Sequence, residues 1–308
     1  MSNNQILRIG TRGSDLAMTQ CKTVVDQLAA QHSGVDFKVI EINTRGDADR
    51  SSRLDQMGVG VFTKALEDAL LDGRIDVAVH SLKDLPSQLG TEFEIAAVTE
   101  REDAREVLIN RWNCGFADMP VGARIGTGSP RRKAQVLGQR PDIVISDIRG
   151  NVPTRIEKAL GGDSSGLDGC IMAAAGVNRL KRTEVIAEHL DPAIFVPAVG
   201  QGSLAIEIRS GDETAHNIVA AAEDQSARIA ATAERSFLRT TEGGCSAPVA
   251  AYARPLDGKL VITGFAASLD GSRILIETLV GSPSTPDDLG NELAEMLLSQ
   301  GAVELIGS

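Results

Sequence analysis

LRIGTRGSDLAMTQ (residues 7–20) and ARIGTGSPRRKAQ (residues 123–135) share one plan: a short apolar strand, a Thr/Gly/Ser turn and the start of a helix. A second pair repeats the echo. GRIDVAVHSLKDLP (73–86) answers SGLDGCIMAAAGVNRL (165–180), each an Asp-led apolar strand feeding a loop with polar or charged residues. Strands such as FKVIEIN (37–43) and DIVISDI (142–148) alternate with helical stretches such as FTKALEDALLDG (62–73) and TRIEKALGG (154–162). Alternating β and α predicts parallel sheets with helices on both faces. The echo predicts two similar α/β domains, and is too faint to separate duplication from convergence.

Two connections read as hinges: one near EREDAR (100–105), the other FVPAVGQG (195–202), where Pro197, Gly200 and Gly202 punctuate an extended run. If the next strand, SLAIEIR (203–209), rejoins the first domain, the chain crosses twice, which is the layout of a small-ligand clamp. The remainder reads as a separate α+β unit. A helix over 227–241 precedes three strand-like runs in 252–281, with Asp257-Gly258 and Asp270-Gly271 as hairpin signals. Thr285, Pro286, Asp287 and Asp288 then open a final helix with cap, proline and acids in the usual order. The expected domains are 1–99 with 200–220, 104–197 and 222–308.

At 308 residues the chain exceeds one ordinary core of roughly 100–150 residues. Its hydrophobic share of 42% and charged share of 24% suit a globular protein. No apolar run approaches the roughly 20 residues of a membrane span. MSNNQILRIG has no basic region followed by an apolar segment, so the expectation is a cytoplasmic protein without a membrane partner. A net charge of -11 argues against nucleic acid, and one Trp and one Tyr leave little for base stacking. Of the 31 basic residues, 23 are Arg, whose planar fork suits carboxylate or phosphate. That bias reads equally as genome composition. The four cysteines and four histidines show no zinc spacing, so no metal is expected. Cys21, in a helical pattern, and Cys170, in an apolar strand, read as core.

Ligands of parallel α/β sheets bind beyond the carboxyl ends of the strands. Arg12 and Ser14 fall in the first such turn, and Lys83 and Asp84 follow the strand ending near Ser81. Thr127, Ser129, Arg131 and Arg132 follow a third strand, Arg149 ends a fourth, and Arg155 lies just after Pro153. Ser129-Pro130 is an N-cap with proline at the first helical position. The two arginines after it sit where the helix dipole disfavours cations by ~0.3–1 kcal/mol each. Five arginines at equivalent junctions predict a cleft for a ligand with several negative charges. No phosphate-binding loop is present, so carboxylates fit at least as well as phosphates. Asp84, the only carboxylate placed among these cations, reads either as a turn residue or as a group that stabilises a developing cation and passes protons. Cys245, in EGGCSAPVAAYA (242–253), follows two glycines that leave its thiol open. By itself it reads either as structural or as a thiol held for use.

LRIGTRGSDLA, INTRGD, HSLKDLP, TGSPRR, IRGNVPTR, AVGQG and GGCSAPV, in this order and spacing, resemble the porphobilinogen deaminase (hydroxymethylbilane synthase) family. They spread from residue 7 to residue 249, and together are highly specific. The fold the resemblance implies is α/β: two periplasmic-binding-protein-like lobes with a double hinge, plus a small C-terminal α+β domain with a three-stranded antiparallel sheet. The implied activity condenses four porphobilinogen molecules into hydroxymethylbilane, releasing ammonia at each step, on a covalent dipyrromethane cofactor. The resemblance places the thioether at Cys245 and the catalytic carboxylate at Asp84, which would stabilise the cationic methylene-pyrrolenine left as ammonia departs. It matches Ser81, Lys83, Thr127, Ser129, Arg131, Arg132 and Arg149 to cofactor binding, and Arg12, Ser14, Arg149, Arg155 and Arg179 to substrate or growing chain. It also implies a monomer.

Two departures from the family pattern stand out. Its glycine–glycine–lysine–glycine run is here MGVGVF (57–62), one residue shorter and without the lysine, in a segment expected to form a lid. Its serine–serine–leucine before the arginine pair is Gly128-Ser129-Pro130. The rival reading is a non-catalytic two-lobed binding protein for a polycarboxylate. That reading leaves the glycine-flanked cysteine unexplained. A transferase acting on phosphorylated substrates is a remoter rival, and lacks a Mg²⁺ carboxylate set.

Overall fold

A computed structural model describes residues 5–43, 63–161, 164–242 and 247–306. MGVGVF, Cys245 and most of INTRGD lie outside the described residues. The chain opens with β1 (Gln5–Thr11), α1 (Asp15–Gln31), β2 (Val35–Glu41), α2 (Lys64–Leu71), β3 (Val77–Ser81) and β4 (Phe93–Val98). Next come β5 (Glu106–Asn110), β6 (Arg124–Gly126), α3 (Pro130–Gln139), β7 (Val144–Ser146), α4 (Val152–Ala159), β8 (Gly169–Ala173), α5 (Ala174–Arg179) and β9 (Glu188–His189). They are followed by β10 (Leu204–Arg209), α6 (Glu213–Val219) and α7 (Gln225–Thr240). The last elements are β11 (Val249–Leu256), β12 (Lys259–Ala267), β13 (Ile274–Gly281), α8 (Pro286–Ser299) and α9 (Ala302–Ile306).

Two compact units result, residues 1–102 with 202–228 and residues 103–201 with 229–308. The first holds a five-stranded sheet in the order β2-β1-β3-β10-β4. Ile9, Val77, Val79, Ile206 and Ile208 are buried on its strands with Leu28 of α1 and Val219 of α6. On the other face Leu66, Ala69 and Leu70 of α2 cover Ala78. The second unit holds the order β7-β6-β8-β5-β9 and, separately, the sheet β11-β12-β13. The expected α/β plan with a small C-terminal sheet is what the topology shows.

The sheets are mixed rather than wholly parallel. β1 runs parallel to β2 and β3, but β10 runs antiparallel to β3 and β4. In the other sheet β6 runs parallel to β7 and β8, while β5 is antiparallel to β8 and β9. The cause lies in the connections. β10 starts at Leu204 opposite Ser81, the last residue of β3, and β5 starts at Glu106 opposite Ala173, the last residue of β8. Each of these strands enters at the carboxyl ends of its neighbours, without the helical crossover that a parallel pair requires.

In the C-terminal sheet, Asp257 and Gly258 take φ of 50° and 73°, the paired left-handed turn that Asp-Gly favours. The second connection is longer than the two-residue turn Asp270-Gly271 suggests. Ser268 N donates to Arg273 O at 2.9 Å, and Gly271 has φ of 69°. Thr285 precedes α8 as expected, but its side chain makes no capping hydrogen bond. α8 is also not the final helix, since the short α9 follows it. Phe265, Ala250 and Ala267 of this sheet share a core with Ala134 of α3 and Val196. The C-terminal sheet therefore supports the helix that begins with the two arginines.

Candidate active site

In the first unit Gly10 pairs with Ala78, so the turns after β1 and β3 leave the sheet from adjacent strands. Ser14 caps α1, its Oγ accepting from Ala17 N at 3.3 Å. Gln20 of α1 donates to Ser81 Oγ at 2.9 Å. Ser81 is followed by a 3-10 turn, Leu82–Asp84. Leu82 N donates to Ser203 O at 3.0 Å, tying that turn to the entry of β10. Arg12 and Lys83 are half-buried, whereas Asp84 is exposed.

The second unit holds the larger set. Thr127 is buried, and its Oγ1 accepts from Ser129 N at 3.2 Å. Ser129 Oγ accepts from Arg132 N at 3.4 Å, and Pro130 opens α3. The expected N-cap is in place. Gly128 beside it is exposed, with no atom closer than 3.7 Å to where a Cβ would stand.

Arg131 and Arg132 are buried, and they have an internal counter-ion. Glu106, the first residue of β5, is fully buried, with Oε1 2.6 Å from Arg131 Nη2 and Oε2 2.9 Å from Arg132 Nη2. Arg131 Nη1 also donates to Val196 O at 2.7 Å and to Gln135 Oε1 at 3.3 Å. This corrects the expectation that Asp84 is the only carboxylate among the cations. Burial lowers the hold of Arg131 on its proton, and the charge of Glu106 works against that. The signal was present in EREDAREVLIN: a strand buried throughout cannot carry a glutamate without a partner.

One donor in this group is left over. Arg132 Nε is buried and has no hydrogen-bond partner among the described residues. Buried donors are rarely left so. A carboxylate is the kind of group that would satisfy it.

The other arginines have local supports. Arg149 is half-buried and its carbonyl accepts from Lys158 Nζ at 3.3 Å. Asn151 caps α4, accepting from Thr154 N at 3.0 Å, and Arg155 Nε donates to Gly150 O at 2.8 Å. Arg179 ends α5, one short helix beyond β8. The Cys170 thiol is pushed up to about 12 by burial, against the opposing charges of Arg132 and Arg155. Cys21 is likewise pushed up to about 12 by burial. Both are core thiols, as expected. Cys245 is outside the described residues. Among those residues, no helix is long and apolar enough to cross a membrane.

Both mixed α/β sheets thus end in capped turns that carry arginines. The model of "Porphobilinogen deaminase, dipyromethane cofactor binding domain" matches residues 7–217, and that of "Porphobilinogen deaminase, C-terminal domain" matches residues 228–299. The porphobilinogen deaminase of Syntrophotalea carbinolica is 41% identical over 99% of this chain and 96% of that one. That of Syntrophomonas wolfei is 44% identical over 97% of each. The solved methionine binding protein MetQ is 12% identical, with a TM-score of 0.43, over 70% of this chain and 89% of that one. The chain belongs to the porphobilinogen deaminase family.

Proposed function

We propose that this chain joins four porphobilinogen molecules head to tail into the linear tetrapyrrole hydroxymethylbilane, releasing ammonia at each addition, with a dipyrromethane held by a thioether to Cys245. Family membership across nearly the whole chain supports the reaction class. The observation that carries the ligand class is the buried Nε of Arg132, which has no hydrogen-bond partner among the described residues. It fits a carboxylate-bearing cofactor. When bound, the dipyrromethane supplies the attacking pyrrole carbon and the carboxylates that arginines can hold.

The chain's own residues do the rest. Glu106 holds Arg131 against α3 and Val196, which orients Arg132 for a carboxylate. Ser129 caps α3 by accepting from Arg132 N, which fixes the start of the helix that carries both arginines. Ser81, Lys83, Thr127 and Arg149 complete cofactor binding. Arg12, Ser14, Arg155 and Arg179, with Arg149 again, hold the carboxylates of incoming substrate. Asp84, exposed on its turn, accepts from the pyrrole N–H groups, stabilises the cation left when ammonia departs, and takes up the proton released as aromaticity returns. The enzyme acts as a cytoplasmic monomer without nucleic acid or membrane. Its parts are a lobe of 1–99 with 200–220, a lobe of 104–197 and a C-terminal domain of 222–308.

Intact mass tests this reading directly. Purified protein should carry the added mass of two linked pyrrole units, and Cys245→Ala should lack it. A wild type that stays unmodified after incubation with porphobilinogen or hydroxymethylbilane would favour a binding protein for polycarboxylates.

A further inference from the structure

His80 lies in HSLKDLP, yet the arginine-lined edges make no use of it. Its side chain is 4% exposed, and Nε2 lies 2.9 Å from Oε2 of Glu207, which is fully buried. The two residues sit on neighbouring strands. In the antiparallel register of β3 and β10, Ala205 faces His80 and Ala78 faces Glu207, so His80 and Glu207 meet diagonally on one face of the sheet. α2 covers that face, and from its first turn comes Glu67. Burial first, then the charge of Glu207, pushes the Glu67 carboxyl above its ordinary range. A hydrogen bond with Thr63 and the charge of His80 oppose that shift. Glu207 Oε1 is buried without a hydrogen-bond partner among the described residues.

A buried acid–base cluster of this kind is a poor source of stability, since apolar side chains of similar size pack there at less desolvation cost. What such a pair does supply is a fixed pairing. β3 ends one residue after His80, and the Leu82–Asp84 turn follows at once. That turn is tied to the same partner strand, since Leu82 N donates to Ser203 O one residue before β10 begins. The strands joined by His80 and Glu207 are thus the strands that set the turn carrying Lys83 and Asp84.

We propose that His80 is a positioning residue for Asp84, locked by Glu207 so that the turn after β3 keeps a single setting against β10. The inference rests on the role given to Asp84 above, but its first readout does not depend on turnover. Hydrogen–deuterium exchange of the peptide covering 81–86 is followed in the full-length wild type and in His80→Leu, His80→Gln and Glu207→Gln, beside steady-state kinetics with porphobilinogen. In His80→Leu the amides of Leu82 and Leu85 should exchange about tenfold faster, the effect of stranding one buried partner. Peptides elsewhere should keep wild-type rates. The kcat should fall by a similar factor with KM nearly unchanged. His80→Gln, whose amide can stand in for Nε2, should recover most of both losses. Unchanged exchange in 81–86, a uniform rise across all peptides, or no rescue by His80→Gln would overturn the inference. If His80→Leu fails to fold, Glu207→Gln decides: wild-type exchange in 81–86 would overturn it, and a local rise would support it. A wild type without turnover would sink the proposed function and leave the exchange result to stand by itself.

Discussion

Glu106 Oε1 accepts from Arg131 Nη2 at 2.6 Å where the carboxylate is wholly buried and the arginine side chain 6% exposed. With Arg132 at 2.9 Å from the other oxygen, one carboxylate serves two guanidiniums at the start of one helix. Removing it strands two buried positive charges. Glu106→Ala should therefore destabilise the protein by ~3–5 kcal/mol, as breaking a buried pair does. Adding Arg131→Met to Glu106→Ala should recover the part due to Arg131, while Arg132 stays stranded. Urea unfolding across the double-mutant cycle checks this, and additive losses would refute the coupling.

Asp84 offers the opposite case. It is exposed on a three-residue turn whose anchors are the backbone bonds of Leu82 and Leu85, so its carboxylate bears no packing. Asp84→Asn should keep the unfolding midpoint of the wild type. Turnover should fall by roughly 10²–10⁴, the range of a positioned acid or base. Ammonia release from porphobilinogen measures the rate, and a variant turning over normally would remove Asp84 from the chemistry.

These two carboxylates also divide what the sequence made legible from what it did not. Asp84, Ser129, Pro130 and the Asp257-Gly258 turn are local features, fixed by neighbours within a few residues, and the structure places each where its pattern puts it. The pairing of Glu106 with Arg131 spans 25 positions, and that of His80 with Glu207 spans 127. Each depends on which strand lies beside which. The direction of β5 and β10 was hidden for the same reason: alternation of strands and helices predicts parallel neighbours, and both strands arrive by other connections. β9, at two residues, and α9, at five, are too short to show a period.

Acid sensitivity should arise partly in the first unit. Burial by itself would raise Asp76, but hydrogen bonds from the side chain and backbone of Arg8, with the charges of Arg8 and Arg209, hold it below the usual carboxylate range. A carboxyl depressed in the folded state stabilises above its unfolded value of about 3.9, and that contribution is lost as pH falls through the folded value. The wild type should lose stability below about pH 4, beyond what Asp76→Asn loses over the same span. At neutral pH the variant should already be the weaker protein. Arg8 is partly exposed, so solvent screening keeps the effect small. Urea midpoints at pH 7 and pH 3 give the comparison, and parallel declines would rule Asp76 out.

Gly271 tests whether the C-terminal sheet supports the arginine helix. It holds φ of 69°, and a Cβ there would meet the carbonyl of Ala134 and come within 2.7 Å of Gly138 N, both on α3. Gly258 holds φ of 73° in the other hairpin, with nothing within 4 Å of a Cβ. Alanine at either position meets the same backbone penalty, of about 1 kcal/mol. Only at Gly271 does the methyl group also push on α3, at a further cost of about 1–3 kcal/mol. Gly271→Ala should thus unfold at clearly lower urea than Gly258→Ala. Because α3 is capped by Ser129 and carries Arg131 and Arg132 in its first turn, the variant should also bind the dipyrromethane less completely, read as a larger unmodified fraction by intact mass. Equal stability of the two variants would show that the contact between Gly271 and α3 does not strain the helix. Equal loading despite unequal stability would separate support of the helix from support of the site.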